Sequence, residues 1–273
     1  MRLDERFEFA AGSVVGRTHV ALGKANQDAF AVRAAPFGLC GVVCDGCGSG
    51  ARSEVGAAVG ARIISEQVLA EMEAGHSIRD ESTWERIRTR TLDAFGGVLR
   101  MMGEPAPLIV AEYFLFTVVG IAISSDGAVI FGVGDGIFAM GDEIVKLGPF
   151  PLNAPPYLGY GLVREGPPFS IHRECSLHDF DSALVGTDGA ADYEALAGTP
   201  MPGGRVGAIQ PLNSFWQDDK YFRNEDAVRR TLWLVNREVT RPLWSDKRIV
   251  KEPGLLEDDT TVLVVRRKRM QAG

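Results

Sequence analysis

The sequence contains no apolar run as long as the roughly 18–20 residues that a bilayer-spanning helix needs. Residues 1–9 carry two basic and three acidic side chains, a composition unlike that of a secretory signal peptide. Basic residues number 29 against 36 acidic ones, and the net charge of −7 leaves no excess of positive charge for neutralising phosphates. We therefore expect a cytoplasmic protein with no membrane or nucleic-acid partner.

Cysteine and histidine are both scarce, with four residues of each. Cys44 and Cys47 have the spacing of metal-ligand pairs, but no second cysteine pair or matching histidine pair accompanies them, so a zinc site is not expected. Cys40 and Cys44 lie in an apolar run and are expected in the core, with Cys47 exposed. The scattered histidines are expected to be surface or loop residues.

The common signatures of covalent catalysis are missing as well. The chain has neither a Gly-x-Ser-x-Gly elbow around a serine nucleophile nor a phosphate loop of the Cys-x₅-Arg type. Any hydrolytic chemistry would therefore have to come from other groups.

What the sequence does contain is typical of one α+β domain. With 45% apolar and 24% charged residues it has an ordinary globular composition. The order of patterns is strands, two long helices, strands, then a helix and a strand, which predicts a single domain over residues 1–273. The predicted strands are 10–16, 28–34, 38–44, 113–123, 128–133, 137–140, 143–147, 169–173, 182–185 and 257–265, and the predicted helices are 52–74, 81–102 and 225–240.

Four stretches are predicted to be irregular. They are a polar loop at 19–26, a Pro-rich break at 103–108, and two longer segments at 148–168 and 198–224. The basic residues 266–269 are expected to form the solvated end of the last strand.

Carboxylates at the ends of strands are the most informative pattern. An apolar strand runs into Asp45, which is followed by glycines at alternate positions, and a helical pattern comes next. The clusters are Asp28, Asp45 with Gly46, Asp135, Asp188 with Asp192, and Asp258 with Asp259. Each could be an ordinary turn residue. If the strand ends converge, divalent cations would offset the repulsion between these groups, and oxygen-only ligation suits Mg²⁺ or Mn²⁺.

Two such ions a few ångströms apart could activate a water molecule and hold a phosphate, which predicts hydrolytic phosphoryl transfer without a covalent intermediate. A dinucleotide-binding turn is the alternative for Gly46-x-Gly48-x-Gly50, between a strand and a helix. We disfavour it because a second helix follows instead of a parallel strand, and because Asp45 would face a pyrophosphate of the same charge.

Five segments together resemble the metal-dependent protein serine/threonine phosphatases of the PP2C (PPM) family, in its bacterial branch. The segments occur in family order at 26–30, 43–50, 132–136, 185–192 and 258–262. The resemblance implies a four-layer α-β-β-α sandwich, with two antiparallel sheets flanked by helices. It also implies hydrolysis of phosphoserine and phosphothreonine on proteins, two or three Mn²⁺ or Mg²⁺ ions, and a role in signal transduction opposite a cognate Ser/Thr kinase.

The same resemblance implies roles for individual residues. Asp45 would bridge two metals, the Gly46 carbonyl would bind one, and Asp28 would support the catalytic water. Asp188 and Asp258 would complete the first metal site, and Asp135 and Asp192 would hold a third ion. One of the segments 148–168 and 198–224 would form a flap over the site.

Three positions depart from the family pattern. Gln27 stands where a glutamate often binds the second metal, and would bind it less strongly. Gly23 stands where an arginine commonly holds the phosphate, so that Lys24 or Arg17 would have to replace it. Cys47 stands where some members have histidine. These departures motivate a second hypothesis, a catalytically weak module that binds phosphoproteins or a partner protein.

Overall fold

Two five-stranded antiparallel sheets form the centre of the molecule. The computed structural model describes residues 2–103, 105–151 and 154–269. The strands are β1 (Phe7–Val14), β2 (Asp28–Ala35), β3 (Gly38–Gly46), β4 (Phe116–Ser124), β5 (Gly127–Val133), β6 (Gly136–Met140), β7 (Glu143–Leu147), β8 (Ser170–Cys175), β9 (Ser182–Gly186), β10 (Val239–Leu243), β11 (Arg248–Glu252) and β12 (Thr260–Arg267). One sheet has the order β2-β3-β4-β5-β8 and the other β1-β12-β9-β6-β7, while β10 and β11 form a separate hairpin.

The central strands are apolar along their whole length because both of their faces are covered. Every residue of β4, β5 and β9 is buried. Between the sheets lies a core that includes Leu39, Ile121, Ile130, Phe138 and Leu263. Strands buried on both sides lack the alternation of apolar and polar residues that a half-exposed strand shows.

Helices cover the outer faces of both sheets. They are α1 (Arg17–Leu22), α2 (Ser53–Glu73), α3 (Glu81–Met102), α4 (Ala106–Tyr113), α5 (Asp188–Ala195), α6 (Ser214–Gln217), α7 (Lys220–Arg223) and α8 (Ala227–Asn236). Helices α2, α3 and α4 share a core with the β2–β8 sheet, and α5 to α8 share another with the second sheet. The predicted four-layer sandwich is therefore confirmed. Among the described residues, no helix combines the length and apolar character that crossing a bilayer requires.

Helix α2 approaches its sheet closely because one of its faces consists of small residues. Gly56, Ala57, Gly60 and Ala61 are all buried. A Cβ atom at Gly60 would lie 2.5 Å from the ring of Phe116, so only glycine allows the observed distance between helix and strand.

Two of the predicted irregular segments contain helices. The predicted polar loop 19–26 was wrong for its first residues, because helix α1 occupies Arg17–Leu22. This helix ends at Gly23, which has a left-handed conformation with φ of 65°. In the Pro-rich break, of which residue 104 lies outside the described residues, the prolines begin α4, because proline suits the first turn of a helix. As a result β4 begins at Phe116 and not at the predicted residue 113.

The C-terminal third differs from the prediction in its helices and strands. The helix predicted to residue 240 ends at Asn236, and Val239–Leu243 pairs with Arg248–Glu252 in a hairpin that the sequence analysis missed. Segment 198–224 contains α6 and α7, and its Phe215, Trp216 and Tyr221 are buried against the second sheet.

Arg266 corrects the expectation of a solvated basic tail. Only 5% of the residue is exposed. Its guanidinium pairs with Glu8 and Asp219, donates to the carbonyl oxygen of Trp216 at 3.1 Å, and lies 3.8 Å from the ring centroid of Phe222. The arginine therefore connects β12 to β1 and to the α6–α7 layer.

Candidate metal and active site

The predicted carboxylates lie at one end of the sandwich, where strands of both sheets begin or end. In the first sheet Asp28 opens β2 and is paired in register with Asp45 near the end of β3. In the second sheet Gly186 ends β9 opposite Val262 of β12. Because these strand ends lie at the same end of the sandwich, carboxylates that are far apart in sequence come together. This is the convergence of strand ends on which the predicted metal site depends.

Asp28 is held by threonines from the opposite sheet. The hydroxyl of Thr187 donates to Asp28 Oδ2 at 2.8 Å, and Thr187 Oγ1 in turn accepts the Thr261 amide at 3.1 Å. The Asn26 side chain accepts the Asp28 amide at 3.0 Å. These contacts fix the carboxyl group of Asp28 at the junction of the two sheets.

Asp135 lies at the crossing from β5 of the first sheet to β6 of the second. Its neighbours Gly134 and Gly136 have φ values of 92° and 135°, a backbone region that disfavours residues with a Cβ atom. The Gly-Asp-Gly sequence is thus required by the crossing, and it leaves the Asp135 carboxyl group in the cleft.

Asp188 and Asp192 lie one turn apart on α5, which begins directly after β9. Asp188 is partly buried and faces the cleft, whereas Asp192 is exposed beside it. The charge of Asp192 raises the pKa of Asp188, though less than burial and the charges of Asp258 and Asp135 do.

The adjacent acids before β12 divide into one exposed and one buried residue. Asp258 is exposed and lines the cleft. Asp259 is 2% exposed, and its Oδ1 and Oδ2 accept the amides of Gly16 at 2.6 Å and of Gln27 at 2.5 Å. Asp259 therefore ties the start of β12 to α1 and β2.

The cleft has a volume of about 320 Å³ and is lined mainly by polar groups. Its walls comprise His19, Gln27, Asp45, Gly46, Cys47, Gly48, Ser49, Thr117, Asp135, Pro155, Tyr157, Asp188 and Asp258. Four carboxylates and no lysine or arginine stand in this lining, counted over the described residues. Of the two candidate flaps, segment 148–168 contributes Pro155 and Tyr157; its residues 152 and 153 lie outside the described part of the chain.

Ionisation of these carboxylates is costly. Burial, and then the charges of Asp28, Asp188, Asp258 and Asp135, raise the pKa of Asp45 well above its usual range. Burial also raises the pKa of Asp28 well above normal, and that of Asp188 to about 6. Such a cluster needs positive charge to be stable in its ionised form.

Several buried oxygens in the site have no hydrogen-bond donor among the described residues. They are Gln27 Oε1, Asp28 Oδ1 and Asp188 Oδ1. Unpaired acceptor oxygens beside clustered carboxylates are the ligand set that Mg²⁺ and Mn²⁺ prefer, so the residues present fit the predicted ions.

Gln27 is fixed in one orientation by its amide. Its Nε2 donates to Ser53 Oγ at 2.7 Å and to the Gly50 carbonyl at 3.3 Å, which leaves Oε1 as the free atom. An oxygen acceptor is thus retained where the resemblance had led us to expect a glutamate.

The two predicted phosphate-binding residues lie in different places. Lys24 is exposed, and its Nζ donates to the carbonyl oxygen of Gly48 at 2.9 Å, on the rim of the cleft. Arg17 pairs with Glu257 and donates to Gly254 at 3.2 Å, which directs it into a separate groove along α1. Lys24 is therefore close to the site and Arg17 is not brought into it.

The cysteines follow the sequence analysis in part. Cys40 and Cys44 are buried, as expected, and Cys47 is partly exposed in the cleft. Burial raises the pKa of the Cys47 thiol, but hydrogen bonds with Ser49 and Tyr157 outweigh this effect and the pKa is lowered.

His19 is the residue that the sequence analysis missed. It was expected to be a surface or loop residue, yet it is 8% exposed and lines the cleft, with Nδ1 2.9 Å from Asp259 Oδ2. Gly16 and Gly23, which bracket α1, were the only sequence signal for the short helix that carries it.

A sequence profile of the family described as "Protein phosphatase 2C" matches residues 15–203. The chain belongs to the protein phosphatase 2C family. This range includes Asp28, Asp45, Asp135 and Asp188, while Asp258 lies beyond it. No curated protein matches the sequence.

Solved structures of bacterial phosphatases share the fold. They include the catalytic domain of the serine/threonine protein phosphatase PstP in complex with two manganese ions, with 15% identity, a TM-score of 0.52 and coverage of 97% of this chain and 99% of that one. The phosphatase Stp1 from Staphylococcus aureus has 15% identity, a TM-score of 0.53 and 98% coverage of both chains. A bacterial serine phosphatase has 14% identity, a TM-score of 0.51 and coverage of 97% and 100%. At these identities the likeness concerns the fold.

Proposed function

We propose that this PP2C-family chain is a Mn²⁺- or Mg²⁺-dependent protein serine/threonine phosphatase. The observation that carries the proposal is the cleft at the end of the sandwich, where Asp45, Asp135, Asp188 and Asp258 converge with unpaired buried oxygens. The presence of two manganese ions in the PstP structure supports the same choice of metal. When bound, the ions would supply an activated water and a Lewis acid for the phosphate.

In the proposed site each residue has a distinct task. Asp45 would bind two ions, with the Gly46 carbonyl beside it, and Asp188 and Asp258 would complete one of these sites. Asp135 and Asp192 would hold a third ion. Asp28, fixed by Thr187, would accept a hydrogen bond from the attacking water, and Gln27 would present Oε1 to an ion or to a water.

Substrate contacts would come from the rim of the cleft. Lys24 on this rim would bind the incoming phosphate. Its Nζ keeps two protons for this role after donating one to the Gly48 carbonyl oxygen. Tyr157 and Pro155 would form the wall against which the phosphoprotein lies. We retain a phosphorylated protein, a cognate kinase and a cytoplasmic location as predictions.

The assay is hydrolysis of p-nitrophenyl phosphate and of a phosphothreonine peptide with Mn²⁺, with Mg²⁺ and with EDTA. We expect EDTA, Asp45→Asn and Asp258→Asn each to lower kcat/KM about 100-fold or more, since several kcal/mol of charge stabilisation are lost. Asp126→Asn, an exposed residue of the β4–β5 turn, is the matched control and should leave the rate unchanged.

Absence of metal-dependent turnover in a folded wild-type protein would refute the proposal. We do not favour the binding-only alternative, because Gln27 keeps an oxygen free in the cleft. If the wild type binds Mn²⁺ calorimetrically without turnover, that alternative would replace the phosphatase, and Gln27→Glu would be the next variant.

A further inference from the structure

His19 places a nitrogen beside two carboxylates at the edge of the cleft. Its Nδ1 lies 2.9 Å from Asp259 Oδ2 and 4.0 Å from Asp258 Oδ1. His19 is only 8% exposed, yet Nδ1 has no hydrogen-bond partner of suitable geometry among the described residues, the 2.9 Å contact with Asp259 Oδ2 included. A buried nitrogen without a well-aligned hydrogen bond is costly unless something binds it.

The backbone around His19 is built to hold this position. The amides of Arg17 and Thr18 donate to Leu256 and Glu257 at 3.0 and 3.1 Å, so α1 is joined to the segment before β12. A Cβ atom at Gly16 would lie 2.3 Å from the carbonyl carbon of Asp258, and glycine alone permits this approach.

The carboxylate of Asp259 still has capacity for a ligand. Oδ1 accepts the Gly16 amide and Oδ2 accepts the Gln27 amide. Since a carboxylate oxygen can accept two bonds, each atom keeps one lone pair.

We propose that His19, Asp258 and Asp259 bind a divalent transition-metal ion through mixed nitrogen and oxygen ligation. Bonds of about 2.0–2.2 Å allow two ligand atoms of one ion to be at most about 4.3 Å apart. Both separations from Nδ1 satisfy this limit. One ligand atom of each side chain lies within 4.8 Å of the others, and the exposed Asp258 can rotate to close the remaining gap.

The donor set also indicates which ions would bind. Two carboxylates offset the charge of a divalent cation, and a neutral imidazole nitrogen favours Mn²⁺, Fe²⁺ or Zn²⁺ over Mg²⁺. The site shares Asp258 with the oxygen-only cluster but adds a ligand of different chemistry. Its existence does not depend on the proposed phosphatase activity.

Electron spin-echo envelope modulation of the Mn²⁺-loaded full chain tests the proposal, because it detects a histidine nitrogen bound to Mn²⁺. We expect nitrogen modulation in the wild type, its loss in His19→Ala, and its retention in His76→Ala. His76 is a suitable control because it follows the C-terminal end of α2, whose first residue Ser53 contacts the site, and its Nδ1 pairs with Glu71 at 2.7 Å. Calorimetry should show one Mn²⁺ fewer in His19→Ala.

A second measurement needs no variant. Excess Mg²⁺ should displace Mn²⁺ from oxygen-only sites and leave the nitrogen-modulated signal. The proposal fails if the wild type shows no nitrogen modulation, if the modulation persists in His19→Ala, or if Mg²⁺ removes it together with the rest. Phosphatase assays on the same samples report separately on the proposed function.

Discussion

Asp188 is a carboxyl group in a position where ionisation is unfavourable. It is partly buried, faces Asp45, Asp135 and Asp258, and has a pKa raised to about 6. In the absence of cations, the Asp188 carboxyl group of the folded chain therefore keeps its proton up to about pH 6. In the unfolded chain the same group releases its proton near the ordinary pKa of about 3.9. Ionisation of the carboxylate cluster therefore lowers the stability of the metal-free protein, and a bound metal ion would offset this cost.

Asp188→Asn should stabilise the metal-free protein at neutral pH. Below about pH 4 the carboxyl group is protonated in both states and contributes nothing. As pH rises toward about 6 the unfolded chain binds fewer protons than the folded one, so the free energy of unfolding falls. A shift of about two pKa units corresponds to about 3 kcal/mol as an upper bound, and urea unfolding in EDTA across this range measures it.

Asp126→Asn is the control for this comparison. The difference between its free energy of unfolding and that of the wild type should not change with pH. In saturating Mn²⁺ the order should reverse, with Asp188→Asn the less stable protein. A variant that is less stable than the wild type at every pH in EDTA would contradict the assigned electrostatics.

At the scale of elements, α2 depends on the absence of side chains at its contact faces. A Cβ atom at Gly56 would lie 1.6 Å from the carbonyl oxygen of Tyr113, where α4 ends. On α3, by contrast, a Cβ atom at Gly96 would find its nearest neighbour, the Arg100 guanidinium, at 3.5 Å. Gly56 therefore has no room for a side chain, whereas Gly96 does.

Gly56→Ala and Gly96→Ala should change stability in opposite directions. Alanine is the better helix former by about 1 kcal/mol, so Gly96→Ala should raise the free energy of unfolding by about 0.5–1 kcal/mol. At Gly56 the clash dominates, and we expect a loss of about 1–3 kcal/mol. Denaturant midpoints of the two variants test this, and a stabilised Gly56→Ala would show that α2 can move away from α4.

At the scale of the whole molecule, the cleft joins the two sheets. Asp28 and Asp45 lie on neighbouring strands of one sheet, whereas Asp188 and Asp258 flank strands of the other. An ion held by both groups would therefore connect the halves of the sandwich, and its binding energy would add to the stability of the fold.

Mn²⁺ should raise the melting temperature more at about pH 7.5 than at about pH 5, because at the lower pH protons compete for carboxylates with raised pKa values. At 100 times its Kd one bound ion adds about 2.7 kcal/mol. Thermal unfolding with EDTA, Mg²⁺ and Mn²⁺ at both values measures the effect. Asp45→Asn should reduce the increase in melting temperature caused by Mn²⁺. An increase of the same size at both pH values would argue against carboxylate ligands.

The sequence by itself determined much of this protein. Apolar runs bounded by Asp-Gly turns predicted the strands, and a strand that is buried on both faces has to be apolar throughout. The position of carboxylates at strand ends followed from the same patterns. These features are local, because turn chemistry and hydrophobic periodicity depend on residues near one another in the chain.

Only the tertiary structure decided the features that depend on residues far apart in sequence. His19 was expected to be a surface or loop residue and Arg266 part of a solvated strand end, because Asp259 and Glu8, which they contact, lie more than 200 positions away. In the same way, the structure separates Lys24 at the rim from Arg17 outside the cleft. A polar side chain takes its role from its neighbours in space, and no local pattern specifies those neighbours.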